Sequence, residues 1–217
     1  MSRYRKRMLK GILLDFDGTI ADTRHSIEES LKYTVERCLG RELSPEEIKQ
    51  YMGIPLADTM RALSPSNWGR LVEVYLSHNL SNFAAQARLF PGTIETLRCF
   101  KRHRISMGLV SSKRRLSIQT ALDLFGIGGF FDVTICAEDV QRHKPDPEGV
   151  LLALDALGLK PYEAAMVGDS PYDVLAGRAA GTVTVAAMWG MFDPGLVLRA
   201  RPDMVCSDIA ELQELIT

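Results

Sequence analysis

The sequence predicts an α/β protein, a doubly wound parallel sheet with a small all-helical insertion after its first strand. Three observations predict it. Short apolar runs recur along the chain and stop abruptly at polar residues, as strands buried on both faces do. Helical patterns separate these runs. Residues 22–87 break the alternation and read as helix only.

The first run, Ile12-Leu13-Leu14, ends in Asp15-Phe16-Asp17-Gly18. In the insertion, Ile27, Leu31, Val35 and Leu39 recur every four residues before Gly40, a helix stop. Ser44-Pro45-Glu46-Glu47 offers a cap, a proline at the first helical position and a glutamate able to close a capping box. Leu56 to Leu63 and Trp68 to Leu80 supply two more helical segments, and Phe90-Pro91-Gly92 marks the return. Later runs at Ser106 to Val110, Val133 to Ala137 and Ala164 to Val167 end at Ser111-Ser112, Glu138-Asp139 and Gly168-Asp169, and Thr182 to Ala187 precedes Trp189-Gly190. Helical patterns span Arg114 to Phe125 and Pro147 to Leu157, and Met204-Val205-Cys206 with Ile209 to Ile216 fit a closing strand and helix. Residues 1–21 and 88–217 are therefore assigned to the core and 22–87 to a helical lid over the crevice at the strand ends, where open α/β sheets bind ligands.

The chain has 217 residues, 46% of them hydrophobic, enough for a full buried core. Lys and Arg number 26 against 27 for Asp and Glu, a net charge of -1 that provides no field for holding nucleic acid. The basic run from Arg3 to Lys10 lacks a following signal-like apolar region and reads as a solvated end. No apolar stretch is long enough to span a membrane. Cys38, Cys99, Cys136 and Cys206 are scattered, which suits reduced thiols and a cytoplasmic location.

Asp15 and Asp17 are two residues apart at a strand end, so both can lean toward one crevice, while Gly18 permits a sharp turn with exposed N–H groups. Paired carboxylates with open donors suit a phosphate and a divalent cation, and their mutual repulsion favours one nucleophile and one acid or base. The same residues would also make an ordinary solvated turn. Ser111 and Ser112, with Lys113 after them, offer hydroxyls and amides to phosphate oxygens, or a helix cap. Lys144, before Pro145 and the helix start Asp146-Pro147-Glu148, can neutralise a carboxylate and a phosphoryl group, or remain a surface charge. Asp169 ends its strand facing Asp15 and could complete an all-oxygen magnesium site. Ser170 reads as the next helix cap, leaving Asp173 either structural or an orienter of Lys144 or of a metal-bound water. In the insertion, Gly53 of Met52-Gly53-Ile54-Pro55 sits in the loop expected to dip into the crevice, and Arg24 and His25 lie near the start of the lid.

Together, D-F-D-G-T at Asp15 to Thr19, V-S-S-K at Val110 to Lys113, K-P-D-P at Lys144 to Pro147 and V-G-D-S-P-Y-D at Val167 to Asp173 resemble the haloacid dehalogenase-like hydrolase superfamily over nearly the whole chain. The resemblance implies a Rossmann-like core with a small helical cap. It makes Asp15 the nucleophile and Asp17 the general acid and later base. Magnesium would be held by Asp15, Asp169 and the Asp17 carbonyl. Gly18, Thr19, Ser111 and Ser112 would contact substrate, with Lys144 steadying the phosphoryl group, and Gly53 is expected to touch it from the loop of the insertion. Ser-Ser departs from the Thr-Asn pair more usual at the second motif. An Asp at position 17 points to phosphatases, pyrophosphatases or phosphomutases, and the second and third motifs look most similar to the phosphoglycolate phosphatase and inorganic pyrophosphatase branch. A small phosphorylated substrate is expected, with no nucleic acid or membrane partner and a monomer or homodimer. The alternatives are a sugar phosphomutase of the same superfamily and, more distantly, a phospho-accepting signalling domain without turnover.

Overall fold

A computed structural model describes residues 9–216, so the basic run, apart from Leu9 and Lys10, lies outside the described residues. Six strands form one parallel sheet: β1 (Gly11–Leu14), β4 (Ser106–Val110), β5 (Val133–Ile135), β6 (Ala164–Gly168), β7 (Val183–Ala187) and β8 (Met204–Cys206), in the order β5-β4-β1-β6-β7-β8. The chain runs outward from β1 through β4 to β5, then crosses to β6 on the other side of β1. The direction of winding therefore reverses at β1, where the loops above the strand ends part and leave a crevice.

Burial on both faces explains why the strands read as unbroken apolar runs. In β1, Ile12 and Leu14 face one core with Phe100, Met107 and Ile118, while Leu13 faces the other with Val150, Leu154 and Met166. This is the two-residue alternation of a pleated strand, with both sides dry. Core helices α5 (Thr93–Arg102), α6 (Arg115–Phe125), α7 (Glu148–Leu157), α8 (Pro171–Ala180) and α9 (Pro194–Arg199) accompany the sheet.

The insertion comprises α1 (Arg24–Leu39), α2 (Pro45–Tyr51), α3 (Leu56–Leu63) and α4 (Trp68–Gln86). It has its own apolar cluster, in which Leu31, Val35, Met60, Leu71 and Tyr75 are buried. Helix α1 stops at Gly40, whose φ of 64° is the left-handed turn a residue without Cβ adopts freely. The capping box expected at Ser44 and Glu47 is present.

Several expected boundaries are corrected. A short antiparallel pair, β2 (Ala21–Asp22) with β3 (Arg88–Leu89), closes the foot of the insertion, so the region is not purely helical at its ends. Two-residue strands are too short for a periodicity to reveal. Helix α4 runs on to Gln86 rather than ending near Leu80, because Phe83 packs into the sheet core. Strand β5 ends at Ile135 and Ala137–Asp139 forms a 3-10 turn, while Ile209–Leu215 is also 3-10 rather than α. At α7, Pro147 takes the cap position instead of Asp146, whose carboxylate accepts the Glu148 N–H at 3.0 Å.

Candidate active site

Strand register brings the site together. Leu14 pairs with Leu109 on one side and Val167 on the other, so the next residues upward set Asp15, Ser111 and Asp169 around the switch point. The Asp15 N–H donates to the Val167 carbonyl at 3.0 Å, holding its side chain at the crevice floor. Lys144 reaches that floor from the loop before α7. Its ammonium donates to Asp15 Oδ1 at 2.9 Å, Asp173 Oδ1 at 2.5 Å and the Val110 carbonyl at 3.1 Å. Three protons meet three acceptors, so the amine is saturated and its direction fixed.

Asp173 makes the contacts of a helix cap and of a partner to Lys144 at once. One oxygen receives Lys144, and the other accepts the Ser170 N–H at 3.1 Å and the Ser170 hydroxyl at 2.5 Å, closing the capping box of α8. Asp169 is buried, and its Oδ2 accepts the Met191 N–H at 2.6 Å. Backbone crowds it from two sides. A Cβ added at Gly18 (φ +77°) would stand 2.1 Å from Asp169 Oδ2, and one at Gly190 would stand 2.1 Å from Asp169 Cβ. Oxygens of Asp15, Asp169 and Asp173 all lie within 4.8 Å of one another.

Asp17 is held apart from that trio. Its Oδ1 accepts the Thr23 hydroxyl at 2.6 Å, and Lys113 Nζ lies 2.9 Å and 3.1 Å from its two oxygens. Sequence reasoning assigned neither partner a function. Lys113 was visible in V-S-S-K, but a pairing across ninety-odd residues has no local signal; Thr23 is equally unmarked, following the turn that brings the chain back beside Asp17.

Ser111 is buried at the floor, its N–H spent on the Ile135 carbonyl and its hydroxyl accepting the Lys113 N–H at 3.2 Å. Helix α6 begins with Arg114 as cap residue, so the serines do not cap it. Ser112 and Gly53 both line the crevice. Gly18 rests against Asp169, while Thr19 is fully buried, its carbonyl accepting Trp189 Nε1 at 3.0 Å and its hydroxyl lacking a hydrogen-bond partner among the described residues. Arg24 turns away from the crevice and donates to the carbonyls of Gly190 and Met191, tying the first turn of α1 to the loop that serves Asp169, whereas His25 is exposed.

Burial dominates the electrostatics. The Asp15 carboxyl is raised to about 7, chiefly by loss of solvent, with Lys144 opposing the rise and Asp173 and Asp17 adding repulsion. Asp169 is raised well above the ordinary carboxyl range, first by burial and then by Asp173 and Asp15. For Lys144 burial disfavours the charge, but Asp15 and Asp173 outweigh it and its amine stays protonated well above the usual lysine range.

The doubly wound sheet of an α/β enzyme here gathers aspartates around a saturated lysine at its switch point. The profile described as haloacid dehalogenase-like hydrolase matches residues 12–187, and the chain belongs to that family. The chain is 36% identical over 208 residues to a putative pyrophosphatase PpaX from Caldanaerobacter subterraneus subsp. tengcongensis, covering 96% of this chain and 94% of that one. It is 32% identical to pyrophosphatase PpaX from Bacillus pumilus, covering 94% of this chain and 95% of the relative. Among solved structures, a putative haloacid dehalogenase-like hydrolase from Bacteroides fragilis superposes with a TM-score of 0.86 at 30% identity, covering 94% of this chain and 99% of that one.

Proposed function

We propose that this chain is a magnesium-dependent phosphohydrolase in which Asp15 takes up the phosphoryl group of a small phosphorylated metabolite or of pyrophosphate and then gives it to water. The observation that carries this reading is Lys144 locked on Oδ1 of Asp15, a buried carboxyl that lines the crevice beside a separately held acid, Asp17.

The donor set fits a divalent cation. Asp15, Asp17, Asp169 and Asp173 bring four carboxyl groups against the two amines of Lys144 and Lys113, and of these carboxyls Asp15, Asp169 and Asp173 are buried. Asp15 and Asp169, with the carbonyl of Asp17, would hold the ion, and an all-oxygen set selects magnesium or a similarly hard cation. When bound, the cation neutralises charge on the transferring phosphoryl oxygens.

In the first displacement a carboxylate oxygen of Asp15 bonds to phosphorus and the bond to the leaving oxygen breaks. Lys144 keeps Asp15 aimed, and the Ser111 hydroxyl and Ser112 hold phosphoryl oxygens. Asp17 gives its proton to the leaving oxygen, then takes one from the water that opens the aspartyl phosphate. Lys113 and Thr23 set the direction of Asp17. Residues 22–87 act as a cap, a reading supported by Ile27, Gly53, Leu56 and Tyr75 lining the crevice opposite the aspartates. The free cysteines fit a reducing cytoplasm.

The test is phosphate release from a panel including phosphoglycolate and pyrophosphate, with magnesium and after chelation. Turnover should require the metal and vanish in Asp15→Asn while the fold persists. Full activity after exhaustive chelation, or near-normal turnover in the variant, would overturn the reading.

A further inference from the structure

The Asp169 carboxyl takes its direction from a loop that the insertion itself grips. Resting on the magnesium-dependent reading above, we infer that Arg24, at the start of the insertion, is a positioning residue for the metal site: by holding the Gly190–Met191 peptide it aims the Met191 N–H at Asp169 and so raises the affinity for magnesium.

Asp169 is buried, and among the described residues the Met191 N–H, 2.6 Å from Oδ2, is the one hydrogen-bond donor to its carboxyl group. That N–H and the Gly190 carbonyl belong to one planar trans peptide, so they point in opposite directions. Arg24 Nη2 donates to the far end of this peptide, the Gly190 carbonyl, at 3.3 Å, and to the Met191 carbonyl at 2.5 Å. A cation at the carbonyl and a carboxyl at the N–H thus pull on the same amide, and each bond polarises the group so that the other strengthens. The peptide lies close against its target: a Cβ added at Gly190 would stand 2.1 Å from Asp169 Cβ.

Nothing within α1 explains a cation at that position. A helix N-terminus carries partial positive charge and favours acids, yet Arg24 is the first residue of α1, its first turn holds no acid, and the Thr23 hydroxyl that could cap it is spent on Asp17. The guanidinium spends its hydrogen bonds on core carbonyls instead. Carbon seats the same loop in the insertion. Met191 and Phe192 pack against the cluster that buries Leu31, Met60 and Tyr75, and a Cβ added at Gly53 would stand 2.7 Å from Phe192 Cζ. The loop that directs a metal ligand is held from the insertion at both places, so affinity for the ion is linked to how the insertion sits.

The deciding experiment titrates magnesium alone into the full-length protein by calorimetry, for the unaltered chain, Arg24→Met and Arg24→Lys. Arg24→Met should weaken magnesium binding by about threefold to tenfold, less than loss of a group bonded directly to a ligand, because Arg24 is exposed and acts one hydrogen bond further out. The sign is diagnostic. Removing a positive charge near a cation site strengthens binding by Coulomb attraction, whereas loss of the aimed N–H weakens it. Arg24→Lys, which keeps a charged donor for the carbonyls, should recover most of the loss. In melting curves the Arg24→Met deficit should be larger with magnesium than in chelator, while a contact that serves the fold alone costs the same in both. Unchanged or tighter magnesium binding in Arg24→Met, no recovery in Arg24→Lys, or a melting deficit indifferent to magnesium would overturn this inference and leave the phosphohydrolase reading intact. An unaltered protein that binds no magnesium would overturn both.

Discussion

Replacing Lys144 by Met keeps the length of the side chain and removes its charge. The ammonium is buried and bonds to Asp15, Asp173 and the Val110 carbonyl, and the two carboxylates it serves are buried as well. Removing one partner of such a group leaves uncompensated buried charge, a loss of roughly 3–5 kcal/mol. In a chain of this size that corresponds to a fall in melting temperature of about 6–20 °C. The deficit should depend on pH, and its sign follows from Asp15. A carboxyl whose folded pKa of about 7 exceeds its ordinary 3.8 favours the fold when protonated. Its contribution is complete below the ordinary value and is lost as pH rises through the folded one. Lys144 pulls that pKa down, so without it the penalty of ionising Asp15 grows. The variant should therefore lie closest to the unaltered protein at about pH 5 and furthest from it at about pH 8. Urea unfolding in chelator at both pH values measures the difference. Equal stability at pH 8, or a deficit larger at pH 5, would refute the account of Lys144 as counter-charge to a buried nucleophile.

Metal binding should be linked to the same proton: below about pH 7 a cation must displace it from Asp15, so magnesium affinity should weaken as pH falls and calorimetry in buffers of different ionisation enthalpy should detect release. Pairing of affinity with pH absent at about pH 6 would contradict this. Gly18→Ala combines a positive φ of 77° with a Cβ 2.1 Å from Asp169 Oδ2, and should cost roughly 1–3 kcal/mol from backbone strain alone while weakening magnesium binding; thermal shifts with and without magnesium separate the two effects. Lys113→Met should lower kcat by about tenfold to a hundredfold through misdirection of Asp17, with the fold retained; steady-state kinetics beside circular dichroism would expose the error if kcat stayed normal.

Much of the site is legible in the sequence because each of its segments is a strand end followed by a turn or a helix start, and such punctuation is local. Asp15 to Thr19, Lys144 before its proline and the Ser170 capping box can be recognised without knowing what lies across the sheet. The apolar runs, alternating with helical patterns, likewise point to a parallel sheet, since strands dry on both faces read that way. Local pattern cannot say which distant groups meet. That Lys113 spans Asp17, that Thr23 joins it, and that the Met191 amide serves Asp169 depend on strand order and on loops folding back over the strand ends. The β2–β3 pair escapes because two residues carry no period. Which residues of the insertion line the crevice is hidden for a similar reason: Ile27, Leu56 and Tyr75 lie in ordinary helical patterns, and only the packing of the four helices decides which side chains turn inward and which line the crevice. The residues gathered at the floor were thus marked in the sequence by type and spacing, while their pairing and the lining of the crevice were decided by tertiary contact, because those depend on through-space distance that sequence separation does not encode.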